Sequence, residues 1–440
     1  MTARPSAERL DAIARDHLRG LGERARKACA SPPIQRALDT ARALPEGMRA
    51  PMIAWNLAAL REPAADLARL FAAGDSLTDE EARAALSQEL CDGLLSAGVL
   101  SRRDGRVHAE IRLSLGPGHV AILEDRPAFG AVQLARAAVT RKLGRALAFG
   151  GDPTAFLLAE LADEVVAFDP RPRVAALVRA NAGLAGVSLA SPERLEEHDR
   201  FDLVTVDLRF DDPVERVPLS RAVSSLAPGG MLCAVIETFD RGLLEALSPP
   251  DASQVLAVGI PSQTIDEACA QGAATRHPEL GETYEHDFDS SLATWTARHV
   301  SELTRGALVV VRAEPAWKVP RSLDRDELAR FPFRAAFRAR VLASHDDATL
   351  LAASLSIAAG TRGREVDGGF ALRPPFEENA TILGGVSAEL IDRVHAAPTV
   401  REAVEGLASA AGRPVDEAIA MLLPIVREAL STGLLEVASS

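Results

Sequence analysis

The run RALAFGGDPTAFLLAELADEVVAFDP, residues 145–170, places Gly150 and Gly151 after an apolar stretch and an acid, Asp169, 19 positions after the first glycine. Glycine at a strand end lets backbone approach a ligand closely. A carboxylate about 20 residues further on is spaced to reach ribose hydroxyls. The pairing points to a nucleotide-type ligand, with Asp152 and Pro170 beside the same two features; the open alternative is that Asp169 caps the helix after it. A second acid, Asp207, ends the apolar run FDLVTVD and is followed by Arg209 and Phe210. A carboxylate there serves as general base toward a hydroxyl, amine or carbon acid if burial raises its pKa. Arg209 beside it suits a substrate carboxylate or phosphate. The plain alternative is an ion pair between Arg209 and one of Asp207, Asp211 and Asp212.

The elements that must position these residues follow from the pattern around them. RALAF and EVVAFD predict two strands with a glycine turn and a helix between them, and FDLVTVD and LAPGGMLCAVIE predict two more. Strands alternating with helices imply a mostly parallel sheet covered on both faces. Residues 248–290 read as a less regular stretch, before a helix at SSLATWTARHVSEL and a closing strand at GALVVVRAEP. Upstream, Thr78 and Glu81 form a capping box that starts one of several short helices. Asp104-Gly105 then turns a hairpin whose second arm puts Val107, Ala109, Ile111, Leu113 and Leu115 on one face. Helices followed by such a hairpin suggest a winged-helix-like unit. From Trp317 onward, ATLLAASLSIAAG and GGFALRPPF predict strands. Two closing helices follow, the first capped by Thr399 and Glu402 and stopped by Gly412, the second opened by Pro414. The chain thus divides into a helical, winged-helix-like domain (1–115), an α/β domain (116–316) and a smaller α+β domain (317–440).

Bulk composition narrows the function classes. The 440 residues are 47% hydrophobic and 25% charged, the balance of a folded globular protein, and the net charge is −13. That charge opposes attraction to phosphate backbones. The helix that would enter a DNA groove, QELCDGLLSAG, carries Glu89 and Asp92 and no basic residue, so no nucleic-acid partner is expected. Four scattered cysteines (Cys29, Cys91, Cys233, Cys269) and nine histidines show no metal-ligand spacing. No signal-peptide or membrane-spanning pattern occurs, so a cytoplasmic location without membrane attachment is the expectation.

Taken together, the glycine turn, the acid 19 positions on, the FDLVTVD strand and the LAPGG turn resemble the class I S-adenosylmethionine-dependent methyltransferases. The flanks LARLFAAGDSLTDEEA, RPAFGAVQLARAAV and YEHDFDSSLATW are similar to those of bacterial release-factor-glutamine-methyltransferase-like proteins with extra domains at both ends. The resemblance implies a doubly wound Rossmann-like core. It implies S-adenosylmethionine held by Gly150, Gly151, Asp152, Asp169, Pro170 and Asp207, with Glu193 near the adenine edge. It also sets Gln133 and Arg136 on a helix bordering the pocket, and Tyr284 and His286 in a segment that covers it, Arg136, Tyr284 and His286 meeting substrate. Two positions depart from the family pattern. Ala148 stands where an acid is expected two residues before the first glycine, with Asp152 and Asp125 as candidate replacements. Asp207-Leu208-Arg209-Phe210 stands in place of Asn-Pro-Pro-Tyr, which disfavours glutamine as methyl acceptor. The expected activity is methyl transfer to a small-molecule or peptide substrate. The alternative is a catalytically silent methyltransferase fold that binds a protein partner; a nicotinamide-dependent oxidoreductase accounts for the glycine and acid but not for the LAPGG turn.

Overall fold

A computed structural model describes residues 6–13, 15–42, 46–115, 121–124, 131–139, 141–150, 154–169, 171–192, 194–196, 199–208, 219–239, 253–276, 281–323, 331–367, 369–375 and 380–438. The chain divides into two compact units, the first comprising residues 1–136, 140–248 and 262–307, the second residues 137–139, 249–261 and 308–440.

The first unit opens with helices α1 (Ala7–Asp11), α2 (Arg15–Ala30), α3 (Pro32–Arg42), α4 (Glu46–Ala58), α5 (Pro63–Ala68), α6 (Asp79–Leu86) and α7 (Gln88–Ser96). On α2 the buried hydrophobic positions include Leu18, Leu21, Ala25 and Ala28, the three-and-four spacing that lays one stripe into a core. The Thr78–Glu81 capping box forms, Thr78 N–H donating to the Glu81 carboxylate at 2.7 Å and Glu81 N–H to Thr78 Oγ at 3.2 Å. A small antiparallel sheet follows, in the order β1 (Leu77–Thr78), β3 (Arg106–Ala109), β2 (Leu100–Arg103). Asp104 and Gly105 turn its hairpin with φ of 52° and 73°, the left-handed pair that a two-residue loop requires. The expected single arm through Leu115 is broken. Its pairing ends at Ala109, the chain bends, and β4 (Arg112–Leu115) pairs instead with β5 (Ala121–Glu124).

Helix α8 (Ala131–Ala138) leads into the parallel sheet, where β6 (Leu143–Phe149) lies between β7 (Ala162–Phe168) and β8 (Phe201–Leu208), and β9 (Leu226–Phe239) adjoins β8. All three pairings are parallel, with Phe149 opposite Phe168 on one side and Val206 on the other. Ala146 to Phe149, Leu203, Val204 and Val206 are all buried, as expected of strands covered on both faces. Beyond β7 a single parallel bridge joins Val166 to Ala190. Helix α9 (Pro172–Ala185) follows β7, and α10 (Leu219–Ser224) precedes β9. The Pro-Gly-Gly turn at the start of β9 needs its glycines: Gly229 has φ +73°, and a Cβ on Gly230 would lie 2.9 Å from the Ala227 and Phe201 carbonyl oxygens. Residues 248–290, expected to be irregular, instead hold much of β10 (Gln254–Thr264), all of α11 (Ile265–Arg276) and the start of α12 (Glu282–Thr296). Strand β11 (Glu302–Val311) gives its first residues to this unit, next to β9.

The link between β6 and β7 also departs from expectation. A six-residue 3₁₀ turn, Ala155–Glu160, stands where a helix was predicted. Only about a dozen residues separate the two strands, the minimum for a parallel crossover, and 3₁₀ geometry rises about 2.0 Å per residue against 1.5 Å for an α-helix. The tighter coil spans the return path with the chain available.

In the second unit β12 (Trp317–Ser322) pairs in parallel with β10, Gln254 opposite Trp317. Helices α13 (Phe333–Ala343), α14 (Asp347–Leu351), α15 (Gly385–Ala396), α16 (Val400–Ala411) and α17 (Val415–Ser431) are accompanied by two small antiparallel sheets. These are β13 (Leu355–Ile357) with β17 (Leu435–Val437), and β14 (Arg362–Val366), β15 (Gly369–Arg373), β16 (Thr381–Gly384). The run ATLLAASLSIAAG, expected as one strand, begins inside α14, which Asp346 starts by accepting from Thr349 N–H at 2.7 Å, and only Leu355–Ile357 of it is strand. Among the described residues no helix is long and apolar enough to cross a membrane.

Candidate functional site

The chain leaves β6 for β7 on one side and later returns to β8 on the other. In such a sheet the strand order reverses at β6, and ligands bind in the crevice beyond the carboxyl ends of the strands at that point. Three of the candidate residues stand on this edge. Gly150 follows β6 with φ +93°, a conformation that glycine alone adopts without strain, and its N–H donates to the Phe168 carbonyl at 3.2 Å. Asp169 follows β7 directly. Asp207 lies one position from the end of β8, opposite Val235 of β9, and is only 6% exposed.

Asp169 is the best-defined of the three. Its side chain is 1% exposed and both its oxygens are taken by Arg171, whose side chain is 31% exposed. Arg171 N–H and Nε donate to Oδ1 at 2.8 and 2.7 Å, and Nη2 donates to Oδ2 at 2.6 Å. The same Nη2 reaches back across the strand end to the Gly150 carbonyl at 3.1 Å. One guanidinium thus ties the glycine turn to the acid. The local sequence explains this posture: Pro172 opens α9, and a residue before proline is driven to extended backbone, which Arg171 adopts at φ −89°, ψ 113°. Asp169 is not the cap of α9: Arg171 holds the N-cap position with no side-chain capping bond, and Asp169 accepts its N–H in an Asx turn ahead of the helix. Sequence reasoning passed over Arg171. Its signal was the Asp-x-Arg-Pro order, in which an Asx turn and a proline-restricted arginine coincide.

The crevice is lined by Ala148, Ala155, Ala167, Phe168, Asp169, Ala175, Val178 and Ser191 and leaves no room for a water molecule between them. Ala148, where the resemblance expects an acid, is buried in this lining and offers no polar group. The far rim is braced: Arg179 of α9 donates to Ser191 Oγ at 3.2 Å and pairs bidentately with Asp11 of α1 at 2.7 and 3.0 Å.

The remaining candidates are scattered. Arg136 points into an ion pair with Glu160 at 3.0 Å, both largely exposed, and Gln133 is half-buried on the same helix. Tyr284 and His286 lie on α12, where Tyr284 stacks on Phe288 at 6.3 Å and His286 is exposed. They belong to a regular helix, not to an irregular cover. Gly151, Asp152, Pro170, Glu193, Arg209, Phe210 and Asp125 lie outside the described residues. Among the described residues no group of three His, Cys, Asp or Glu side chains could hold a metal ion.

No protein-family model matches the sequence, and no curated protein matches it. Solved structures give distant likenesses. A Haemonchus contortus phosphoethanolamine N-methyltransferase 2 in complex with S-adenosyl-L-methionine is 13% identical, covering 42% of this chain and 52% of that one at a TM-score of 0.28. The N-methyltransferase NodS from Bradyrhizobium japonicum, in complex with S-adenosyl-L-homocysteine, is 17% identical, covering 42% and 85% at 0.25. The [4+2]-cyclase SpnF is 14% identical, covering 42% and 80% at 0.29. Scores this low carry no weight for function, which rests on the chain's own strand order and site residues.

Proposed function

We propose that this protein is an S-adenosylmethionine-dependent methyltransferase acting on a small-molecule or peptide substrate. The observation that supports this reading is the reversal of strand order at β6, which gathers Gly150, Asp169 and Asp207 along one carboxyl edge. In this reading Asp169 holds the ribose of the cofactor, with Gly150, Gly151, Asp152 and Pro170 around it and Glu193 toward the adenine. Asp207, Arg209 and Phe210 face the methyl acceptor, Asp207 as its proton acceptor, and Arg136, Tyr284 and His286 are the outlying substrate residues. The three-part division at 115/116 and 316/317, with winged-helix-like helices ahead of the core, belongs to the same proposal.

In the described conformation the ribose acid is already engaged by the protein's own arginine. Both oxygens of the carboxylate that would take two ribose hydroxyls already accept from a guanidinium, and the crevice beside it admits no water. Those two observations favour the second reading, a silent fold serving as a binding partner. Calorimetric titration with S-adenosylmethionine and S-adenosylhomocysteine separates the two. The enzyme reading predicts binding that Asp169→Ala abolishes, with wild-type folding retained by circular dichroism. Absence of heat at millimolar ligand, with wild type and Asp169→Ala both folded and also with Arg171 removed, would leave the silent fold.

A further inference from the structure

We infer that Arg171 is a built-in plug of the nucleoside site, a specificity-determining residue that a ligand must displace before its ribose can reach Asp169. The inference rests on the ribose role of Asp169 proposed above. Three features of the chain point to it. First, the guanidinium uses both carboxylate oxygens, which are the two acceptors a vicinal diol would need. The guanidinium pair is bidentate and ionised on both sides, whereas diol hydroxyls bring charge on the acceptor alone, so the exchange opposes binding. Second, the Nη2 bond to the Gly150 carbonyl lays the side chain across the glycine turn, over the backbone that a cofactor would approach. Third, the Arg171 side chain is partly open to solvent, while that of Asp169 is closed off. The plug therefore has an outward path to solvent, and the acid beneath it does not.

The chemistry that favours opening follows. A neutral diol alone competes poorly with the ion pair. A ligand whose carboxylate or phosphate accepts the displaced guanidinium compensates for the lost pair, so the site selects nucleosides that carry an anionic group within reach of Arg171. The α-carboxylate of S-adenosylmethionine or S-adenosylhomocysteine meets that description in charge, and adenosine does not.

The test uses the full chain, with S-adenosylhomocysteine and adenosine as probes and calorimetry as the readout. Arg171→Ala is expected to bind adenosine at least tenfold more tightly than wild type, because the acid is unmasked and no anion is needed. S-adenosylhomocysteine is expected to gain less than adenosine, since it loses the guanidinium as a partner. Arg171→Gln, which retains a donor but no charge, should follow Arg171→Ala and covers the case in which the alanine variant folds poorly. Equal or weaker adenosine binding by folded Arg171 variants that still bind S-adenosylhomocysteine would overturn the plug and leave the cofactor reading standing. Failure of every folded variant to bind either ligand would overturn both.

Discussion

Gly20 and Gly22 lie two positions apart on α2, and their replacement by alanine should change stability in opposite directions. Glycine inside a helix costs about 1 kcal/mol relative to alanine, so both changes would stabilise an isolated helix. At Gly20 nothing lies within 4 Å of a new Cβ, and Gly20→Ala is expected to gain roughly 0.5–1 kcal/mol. At Gly22 the Cβ would sit 2.1 Å from the Leu184 carbonyl oxygen and 2.9 Å from its carbon, both backbone atoms of α9. Neither can rotate away, so the helices must separate. That separation also stretches the bond from Arg26 Nη1 to the same carbonyl, now 3.2 Å. Overpacking of this kind costs about 1–3 kcal/mol, so Gly22→Ala should be net destabilising despite its better helix propensity. Urea titration followed by circular dichroism, with the two variants beside wild type, reads the difference as shifts of opposite sign in the midpoint. If Gly22→Ala moves with Gly20→Ala, the close approach of α2 to α9 is wrong.

Three further expectations follow from the described geometry. Thr78→Ala removes the N-cap of α6 and should cost about 1 kcal/mol at pH 7 in the same titration. The Thr78 N–H bond holds the Glu81 carboxyl below the usual carboxylate range, so Glu81 stabilises the fold above the unfolded pKa of about 4.3 and loses that contribution as pH falls through its folded value. Glu81→Gln should therefore destabilise at pH 7, with a deficit that shrinks as pH falls below about 4; a deficit constant across that range would show that charge plays no part. Cys91 and Cys233 are buried and burial pushes both thiols up, so native protein at pH 8 should leave both unlabelled by iodoacetamide in peptide mass spectrometry, and prompt labelling of either would contradict the packing.

The strands around the site were legible because buried parallel strands are written as nearly unbroken apolar runs, and RALAF, EVVAF and FDLVTVD are such runs. Asp104-Gly105 and the Thr78–Glu81 box were legible because their chemistry is local. The 3₁₀ turn was not, since AFLLAE has helical composition and only the short distance between β6 and β7 forbids a longer coil. Residues 248–290 concealed two helices: α11 buries mainly small residues such as Ala268, Cys269 and Ala273, and α12 buries only Trp295 among Asp, Glu and Ser. Asp169 was found by spacing alone. Its occupation by Arg171 was not, because a side chain folding back over its own strand end depends on the backbone angle that Pro172 imposes and on where the Gly150 carbonyl lies, neither of which shows as a pattern of residue types.

The packing of α9 bears on how this protein tolerates rearrangement. Ala176, Leu177, Ala180 and Leu184 of α9 share one apolar cluster with Leu10, Leu18, Leu21 and Ala25 of the first helices, while Arg179 reaches Asp11 from the same stretch. A shortened chain beginning after Leu115 would present that stripe of α9 to water and would release the Asp11 brace on Arg179. The leading helices therefore behave as the backing of α9, whose Ala175 and Val178 line the crevice. Gene fusion or domain exchange that treats them as detachable should yield aggregates, and recombination that preserves both partners of the α2–α9 seam should not.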